Sequence, residues 1–141
     1  MERVSGVGKK FLISRYPVEG DAVMFDIDDT LIKATTLTPI HPIVSLYYTS
    51  QALGYRTVII TARPGFKENI ARTKDQLGEL GIVPDYLIFT EAEKKTTAKE
   101  KTGLRYVLSV GDQISDLGGS EKWIKLPDFF DKNIYTNIST Q

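Results

Sequence analysis

Short apolar runs alternate along the chain with longer stretches in which apolar residues recur at helical spacing. Each run is only a few residues long and rich in Val, Ile, Leu or Phe, which is typical of strands buried in a parallel sheet. The predicted strands are residues 22–27, 56–61, 86–89, 106–110 and a short fifth at 123–126. The predicted helices are residues 42–53, 66–80 and 91–102. This alternation favours βαβ units, so we expect an α/β fold whose parallel sheet of about five strands carries helices on both faces.

The two ends of the chain lack this periodic pattern. Residues 1–21 contain several glycines and a proline, which predicts a loose N-terminal arm with one strand or turn. Residues 128–141 predict a C-terminal tail whose aromatic side chains cover the core, namely Phe129, Phe130 and Tyr135. No segment has the composition of a linker, and 141 residues suit one domain, so we expect a single domain over residues 1–141.

Composition and charge narrow the possible partners. The chain has 18 basic and 18 acidic residues, which argues against a dedicated nucleic-acid or membrane-surface protein. It contains no cysteine, which excludes disulfides and thiolate metal sites. The first residues lack the apolar stretch of a secretory signal, and no run approaches the length of a membrane span. We therefore expect a cytoplasmic protein.

Polar side chains stand where the predicted strands end. Asp26 and Asp28 close the first strand and, being two residues apart in extended backbone, project to the same side. Thr61 ends the second strand and Asp112 follows the fourth. Carboxylates that crowd at a strand end repel one another, and proteins tolerate this where a cation or a reaction needs them. Ligands of such sheets bind at the carboxyl ends of the strands, so we expect these groups to form a site.

A lysine at the start of the third predicted helix is expected to join this site, because that helix begins near the same edge of the sheet. Position alone leaves Lys94 and Lys95 open. Lys99 and Lys101 lie further along the helix and are expected to be solvated.

These residues follow the order of the four motifs of the haloacid dehalogenase-like superfamily. They are Phe25-Asp-Ile-Asp-Asp-Thr-Leu31, then Thr61, a lysine, and Gly111-Asp-Gln-Ile-Ser-Asp116. The chain resembles that superfamily over residues 22–127, and its last motif resembles the acid-phosphatase branch, which includes plant vegetative storage proteins and bacterial class B acid phosphatases. The resemblance implies a Rossmann-like three-layer sandwich and a phosphatase.

The resemblance also implies a role for each motif residue. Asp26 would be the nucleophile that forms an aspartyl-phosphate, and Asp28 the general acid and base. Thr61 and a lysine would hold the phosphoryl oxygens, and the helix length of related acid phosphatases favours Lys95 over Lys94. Arg63 could contact the substrate or form an ion pair within its loop.

Mg²⁺ is the cofactor that the resemblance implies. Its ligands would be the Asp26 carboxylate, the main-chain carbonyl of Asp28 and Asp112, a set of hard oxygens that suits this ion. Asp116 would support these ligands through a hydrogen bond or through water.

Cap domains, which select small substrates in many members of this superfamily, are not expected here. Residues 28–61 and 61–95 leave room only for single helices, a strand and the loop 33–42, whose prolines argue against a regular hairpin. The predicted open site suits small or macromolecular phosphate esters. Three alternatives remain: a polynucleotide 3′-phosphatase, a non-catalytic phosphate-binding or storage protein, and a signalling receiver domain.

Overall fold

A computed structural model of the chain describes residues 1–139 and shows an α/β fold built on a six-stranded, mostly parallel sheet. The strands are β1 (Asp21–Phe25), β2 (Arg56–Thr61), β3 (Tyr86–Phe89), β4 (Arg105–Gly111), β5 (Ser120–Lys125) and β6 (Tyr135–Thr136). The helices are α1 (Glu2–Ile13), α2 (His41–Ala52), α3 (Lys67–Glu79) and α4 (Lys95–Thr102). Short 3₁₀ turns cover Ala92–Lys94 and Ile114–Asp116.

The strand order places β1 at the centre of the sheet. The order is β3-β2-β1-β4-β5-β6, with β1 to β5 parallel and β6 antiparallel to β5. The chain builds outward from β1 on one side and then crosses to β4 on the other, so the order reverses between β1 and β4. A ligand crevice forms at the carboxyl ends of the strands where such a reversal occurs. The predicted α/β class is confirmed, and the Rossmann-like arrangement is consistent with it.

Helices cover both faces of the sheet, as predicted. On one face Phe25, Ile59 and Val110 belong to a core shared with Leu12 of α1, Leu46 of α2 and Leu77 of α3. On the other face a smaller core contains Met24, Val58 and Ile60 together with Ala98 of α4. None of the helices in residues 1–139 is long and apolar enough to cross a lipid bilayer.

The prediction of a loose N-terminal arm is wrong, because residues 2–13 form helix α1. Leu12 is fully buried, and Gly8 lies so close to α2 that a Cβ there would be 3.1 Å from Leu46. The glycine that lowers helix propensity therefore also permits close packing against α2. Tertiary contacts override the weak local preference.

The prediction that the tail aromatics cover the core is also wrong. Phe129 and Phe130 are 82% and 93% exposed, and Tyr135 lies in β6 with 44% of its surface exposed. The Asp128 carboxylate accepts hydrogen bonds from the main-chain N–H groups of Phe130 and Asp131, which turns this segment away from the sheet. Ile138 enters the core, and Ile134 is partly buried against it.

The segment after β1 doubles back on itself despite its prolines. The Ile40 N–H donates to the Leu31 carbonyl at 2.8 Å, and the Lys33 N–H donates to the Thr38 carbonyl at 2.8 Å. The predicted loop 33–42 is thus a short hairpin-like turn followed directly by α2. This turn forms a small flap beside the carboxyl end of β1.

Candidate active site

Three carboxylates from two strand ends converge at the point where the strand order reverses. Asp26 follows β1, Asp112 follows β4, and Asp116 ends the 3₁₀ turn after β4. All three are buried, and one carboxylate oxygen from each lies within 4.8 Å of the others. The Asp26 N–H donates to the Val110 carbonyl at 3.0 Å, which ties the two strand ends together. The sequence prediction that Asp26 and Asp112 meet is therefore what the geometry shows.

The loop after β4 is shaped to bring Asp116 back to Asp112. A Cβ at Gly111 would lie 2.2 Å from an Asp116 carboxylate oxygen, so the absence of a side chain at position 111 makes room for Asp116. The Asp116 carboxylate accepts a hydrogen bond from the Gln113 N–H at 3.1 Å, which closes the turn. The Gly-Asp-x-x-x-Asp spacing thus has a local structural reason.

Lys95 lies between two of these acids. Its Nζ donates to Asp26 Oδ1 at 2.9 Å and to Asp116 Oδ1 at 2.6 Å, and its side chain is buried. Lys94, the alternative left open by the sequence, points outward and pairs with Glu91 at the surface. The structure therefore places Lys95, and not Lys94, in the cluster.

Burial disfavours the ionised forms of the three carboxyls, even with Lys95 beside them. Burial raises the pKa of Asp26 to about 7, although Lys95 acts in the opposite direction, and the Asp112 carboxyl adds to the rise. Burial also raises the pKa of Asp116 to about 6 and raises the pKa of Asp112. For Lys95, the neighbouring carboxylates outweigh burial and raise its pKa. The raised pKa values mean that Asp26 is protonated for much of the time near neutral pH, and that an added positive charge would favour the ionised forms of all three carboxyls.

Asp112 carries an oxygen that has no partner among the described residues. Its Oδ1 is buried without a hydrogen bond, while Oδ2 accepts a 3.3 Å bond from the Gln113 side-chain amide. An unpaired buried carboxylate oxygen is costly, and three convergent carboxylates are the hard donors that Mg²⁺ prefers. The residues present thus fit a divalent cation of this kind.

Asp28 lies beside the cluster in an ion pair with Arg63. Arg63 Nε and Nη2 donate to the two Asp28 carboxylate oxygens at 2.9 and 2.8 Å. Arg63 Nη1 donates to Thr73 Oγ1 at 3.1 Å and to Gln76 Oε1 at 2.6 Å in α3. All three guanidinium nitrogens therefore have protein acceptors. Arg63 thus forms an ion pair, with Asp28 after β1 and not within its own loop. Its contact with a substrate stays a prediction.

Thr61 ends β2 at the same edge of the sheet. Phe25 pairs with Ile59, so Thr61 lies two residues further along, level with Ile27 and beside the Asp26–Asp28 segment. Its side chain is buried, and its hydroxyl accepts a hydrogen bond from the Arg63 N–H at 3.1 Å.

The prediction that Lys99 is solvated is wrong, because its side chain lies against the loop after β4 and is only 1% exposed. Its Nζ donates to the main-chain carbonyls of Asp116 and Gly118 at 2.7 and 2.6 Å, and burial lowers its pKa to about 8. Its position four residues after Lys95 places it on the same helical face, and that spacing was the available signal. Lys101, by contrast, is exposed as predicted.

Neither the models of known protein families nor the curated proteins compared with this chain match it. The resemblance to the haloacid dehalogenase-like superfamily therefore stays a prediction from the motif residues and their order.

Proposed function

We propose that this protein is a Mg²⁺-dependent phosphomonoester hydrolase of haloacid dehalogenase-like fold that forms an aspartyl-phosphate on Asp26. The observation that carries the proposal is the convergence of Asp26, Asp112 and Asp116 at the carboxyl ends of β1 and β4, with Lys95 bonded to Asp26 and Asp116. A carboxylate nucleophile, further acids for a cation and an ammonium for phosphoryl oxygens are the parts that phosphoryl transfer requires.

The reaction would proceed in two displacements at phosphorus. Asp26 attacks the phosphorus through a carboxylate oxygen, and the bond between phosphorus and the ester oxygen breaks. Asp28 gives a proton to that oxygen, which leaves as an alcohol. Asp28 then takes a proton from a water molecule whose oxygen attacks the phosphorus. The bond to Asp26 breaks, inorganic phosphate leaves and the Asp26 carboxylate is restored.

Mg²⁺ would be held by Asp26 and Asp112, with the main-chain carbonyl of Asp28 and with Asp116 directly or through water. When bound, the ion supplies positive charge that favours the ionised carboxylates and balances charge on the phosphoryl oxygens. The convergence of the Asp112 carboxylate with those of Asp26 and Asp116 supports its role as a ligand.

Asp28 must change partners for this mechanism to operate. Both of its oxygens accept hydrogen bonds from Arg63, so neither presents a proton to a leaving group in this arrangement. The Asp28 side chain is 39% exposed, so it faces the solvent from which a substrate would approach. Arg63 would then hold Asp28 between reaction cycles.

Replacing the nucleophile tests the proposal. Asp26→Asn keeps the shape of the side chain and removes one of three crowded acids, so the fold should survive, as circular dichroism can verify. Hydrolysis of p-nitrophenyl phosphate with Mg²⁺ should fall by about 10³-fold or more. The matched control is Asp75→Asn, an exposed acid of α3, which should keep full activity. Full activity in Asp26→Asn would remove the proposed mechanism.

Catalytic turnover distinguishes the proposed phosphatase from the alternative functions. A phosphatase releases many phosphate molecules per protein molecule and depends on Mg²⁺. A receiver domain would accept a single phosphoryl group, and a storage protein would bind phosphate without releasing product. Hydrolysis of a 3′-phosphorylated oligonucleotide with steep salt dependence would instead favour a polynucleotide phosphatase.

A further inference from the structure

A buried lysine outside the proposed chemistry holds the backbone of the loop that carries two acids of the site. Lys99 of α4 is 1% exposed, and its Nζ donates to the carbonyls of Asp116 at 2.7 Å and Gly118 at 2.6 Å. Its ammonium is also 5.8 Å from the centre of the Tyr106 ring. The charge of Lys99 is thus directed at the main chain of the loop.

Helix α4 and this loop are in very close contact. A Cβ at Gly118 would lie 2.5 Å from Thr96 Oγ1, and one at Gly119 would lie 3.3 Å from Thr96 Cγ2 and 3.7 Å from Lys99 Cδ. Glycines at positions 118 and 119 therefore let the loop backbone lie against α4. The side chains of Thr96 and Lys99 in α4 thus lie directly against the loop backbone.

Burying an ammonium is unfavourable, and an apolar side chain would fill the same space at lower cost. The burial of Lys99 is offset because it satisfies two loop carbonyls that need donors. Lys95, one helical turn earlier, binds the Asp116 carboxylate. Two lysines of one helix face thus hold Asp116 at both its main chain and its side chain.

We propose that Lys99 is a positioning residue that fixes the loop 112–118 so that Asp112 and Asp116 are preorganised for Mg²⁺. This inference rests on the proposed function, because it assigns the cation to these acids. Lys99 does not touch the reacting atoms in this arrangement and acts only through the loop. Its loss should therefore weaken Mg²⁺ binding, while the chemical step at saturating Mg²⁺ is retained.

Calorimetric titration with Mg²⁺ measures this directly. Lys99→Met should raise the dissociation constant by about 10- to 100-fold, the usual effect of losing a group that orients metal ligands. Lys101→Met removes an exposed lysine from the same helix and should bind Mg²⁺ like the wild type. At saturating Mg²⁺, Lys99→Met should regain kcat and KM for p-nitrophenyl phosphate to within a few-fold.

The outcomes separate this inference from the proposed function. If the wild type binds Mg²⁺ and turns over substrate, but Lys99→Met binds Mg²⁺ equally well, the inference fails and the function stands. A loss of kcat that Mg²⁺ does not restore also overturns it, since Lys99 would then act in the chemical step. A wild type that neither binds Mg²⁺ nor hydrolyses phosphate esters removes both.

A measurement on the unaltered protein covers the case in which Lys99→Met does not fold. The side-chain ¹⁵Nζ resonance of Lys99 should move when Mg²⁺ saturates the wild type, because the loop whose carbonyls it binds carries Asp112 and Asp116. The Lys101 resonance should stay in place. A Lys99 resonance that is unchanged at saturating Mg²⁺ overturns the inference.

Discussion

Removing Lys95 should destabilise the protein by an amount that depends strongly on pH. Its Nζ lies 2.9 Å from Asp26 and 2.6 Å from Asp116, and all three side chains are buried. Taking one partner out of a buried ion pair costs about 3–5 kcal/mol when the other charges remain. Lys95→Met therefore leaves two buried carboxylates without their cation, provided that these are ionised.

The ionisation of the two acids sets the pH window. The folded-state pKa values of Asp26 and Asp116, about 7 and about 6, lie above the ordinary value of 3.8, so folding favours their protonated forms. Below about pH 5 both are protonated, and Lys95→Met should cost only about 1 kcal/mol in lost hydrogen bonds. Each pH unit above the pKa of a carboxyl adds up to about 1.4 kcal/mol to the stability lost in Lys95→Met. At pH 8, which is one unit above the pKa of Asp26 and two above that of Asp116, the loss should approach about 4 kcal/mol.

Urea unfolding measures this difference through the fluorescence of the single tryptophan, Trp123 in β5. The matched control is Lys94→Met, which removes the adjacent exposed lysine and its surface pair with Glu91. That control should change the free energy of unfolding by less than about 1 kcal/mol at either pH. Mg²⁺ should reduce the loss in Lys95→Met at pH 8, because a bound cation replaces part of the missing charge. An equal loss at pH 5 and pH 8 would refute this reasoning, as would a loss at pH 8 no larger than that of the control.

Two further substitutions test the loop after β4 and the role of Arg63. Gly111→Ala should weaken Mg²⁺ binding at least about tenfold in calorimetry, because the added methyl group would lie 2.2 Å from the Asp116 carboxylate. Unchanged binding would show that the loop adapts freely. Arg63→Gln should lower the free energy of unfolding by about 1–2 kcal/mol, because it breaks the partly exposed ion pair with Asp28. The same substitution should change KM for p-nitrophenyl phosphate by no more than about threefold. A much larger rise in KM would instead give Arg63 a contact with the substrate.

The convergence of the site could be predicted from the sequence because it follows from a simple rule of sheet topology. Apolar runs that alternate with helices predict parallel strands, and parallel strands end at one edge. Asp26 and Asp112 follow two such runs, and the structure places them directly after the ends of neighbouring strands. The identity of the site lysine could be limited to Lys94 or Lys95, because only the start of the third predicted helix reaches that edge of the sheet.

Other features depend on tertiary contacts that local patterns do not encode. Helix α1 carries Gly8, whose low helix propensity is outweighed by packing against α2. Phe129 and Phe130 are as apolar as core residues, yet the turn at Asp128 directs them outward. Lysine usually lies at the protein surface, and the burial of Lys99 depends on loop carbonyls more than 15 residues away in sequence.

Trapping the covalent intermediate tests the central claim most directly. The protein would be mixed with acetyl phosphate or p-nitrophenyl phosphate and Mg²⁺, quenched during turnover and reduced with borohydride, which converts an aspartyl-phosphate into homoserine. Peptide mass spectrometry should then find homoserine at position 26, and only in samples that contained substrate. Steady release of phosphate with homoserine at another aspartate, or at none, would contradict the assignment of Asp26 as the nucleophile.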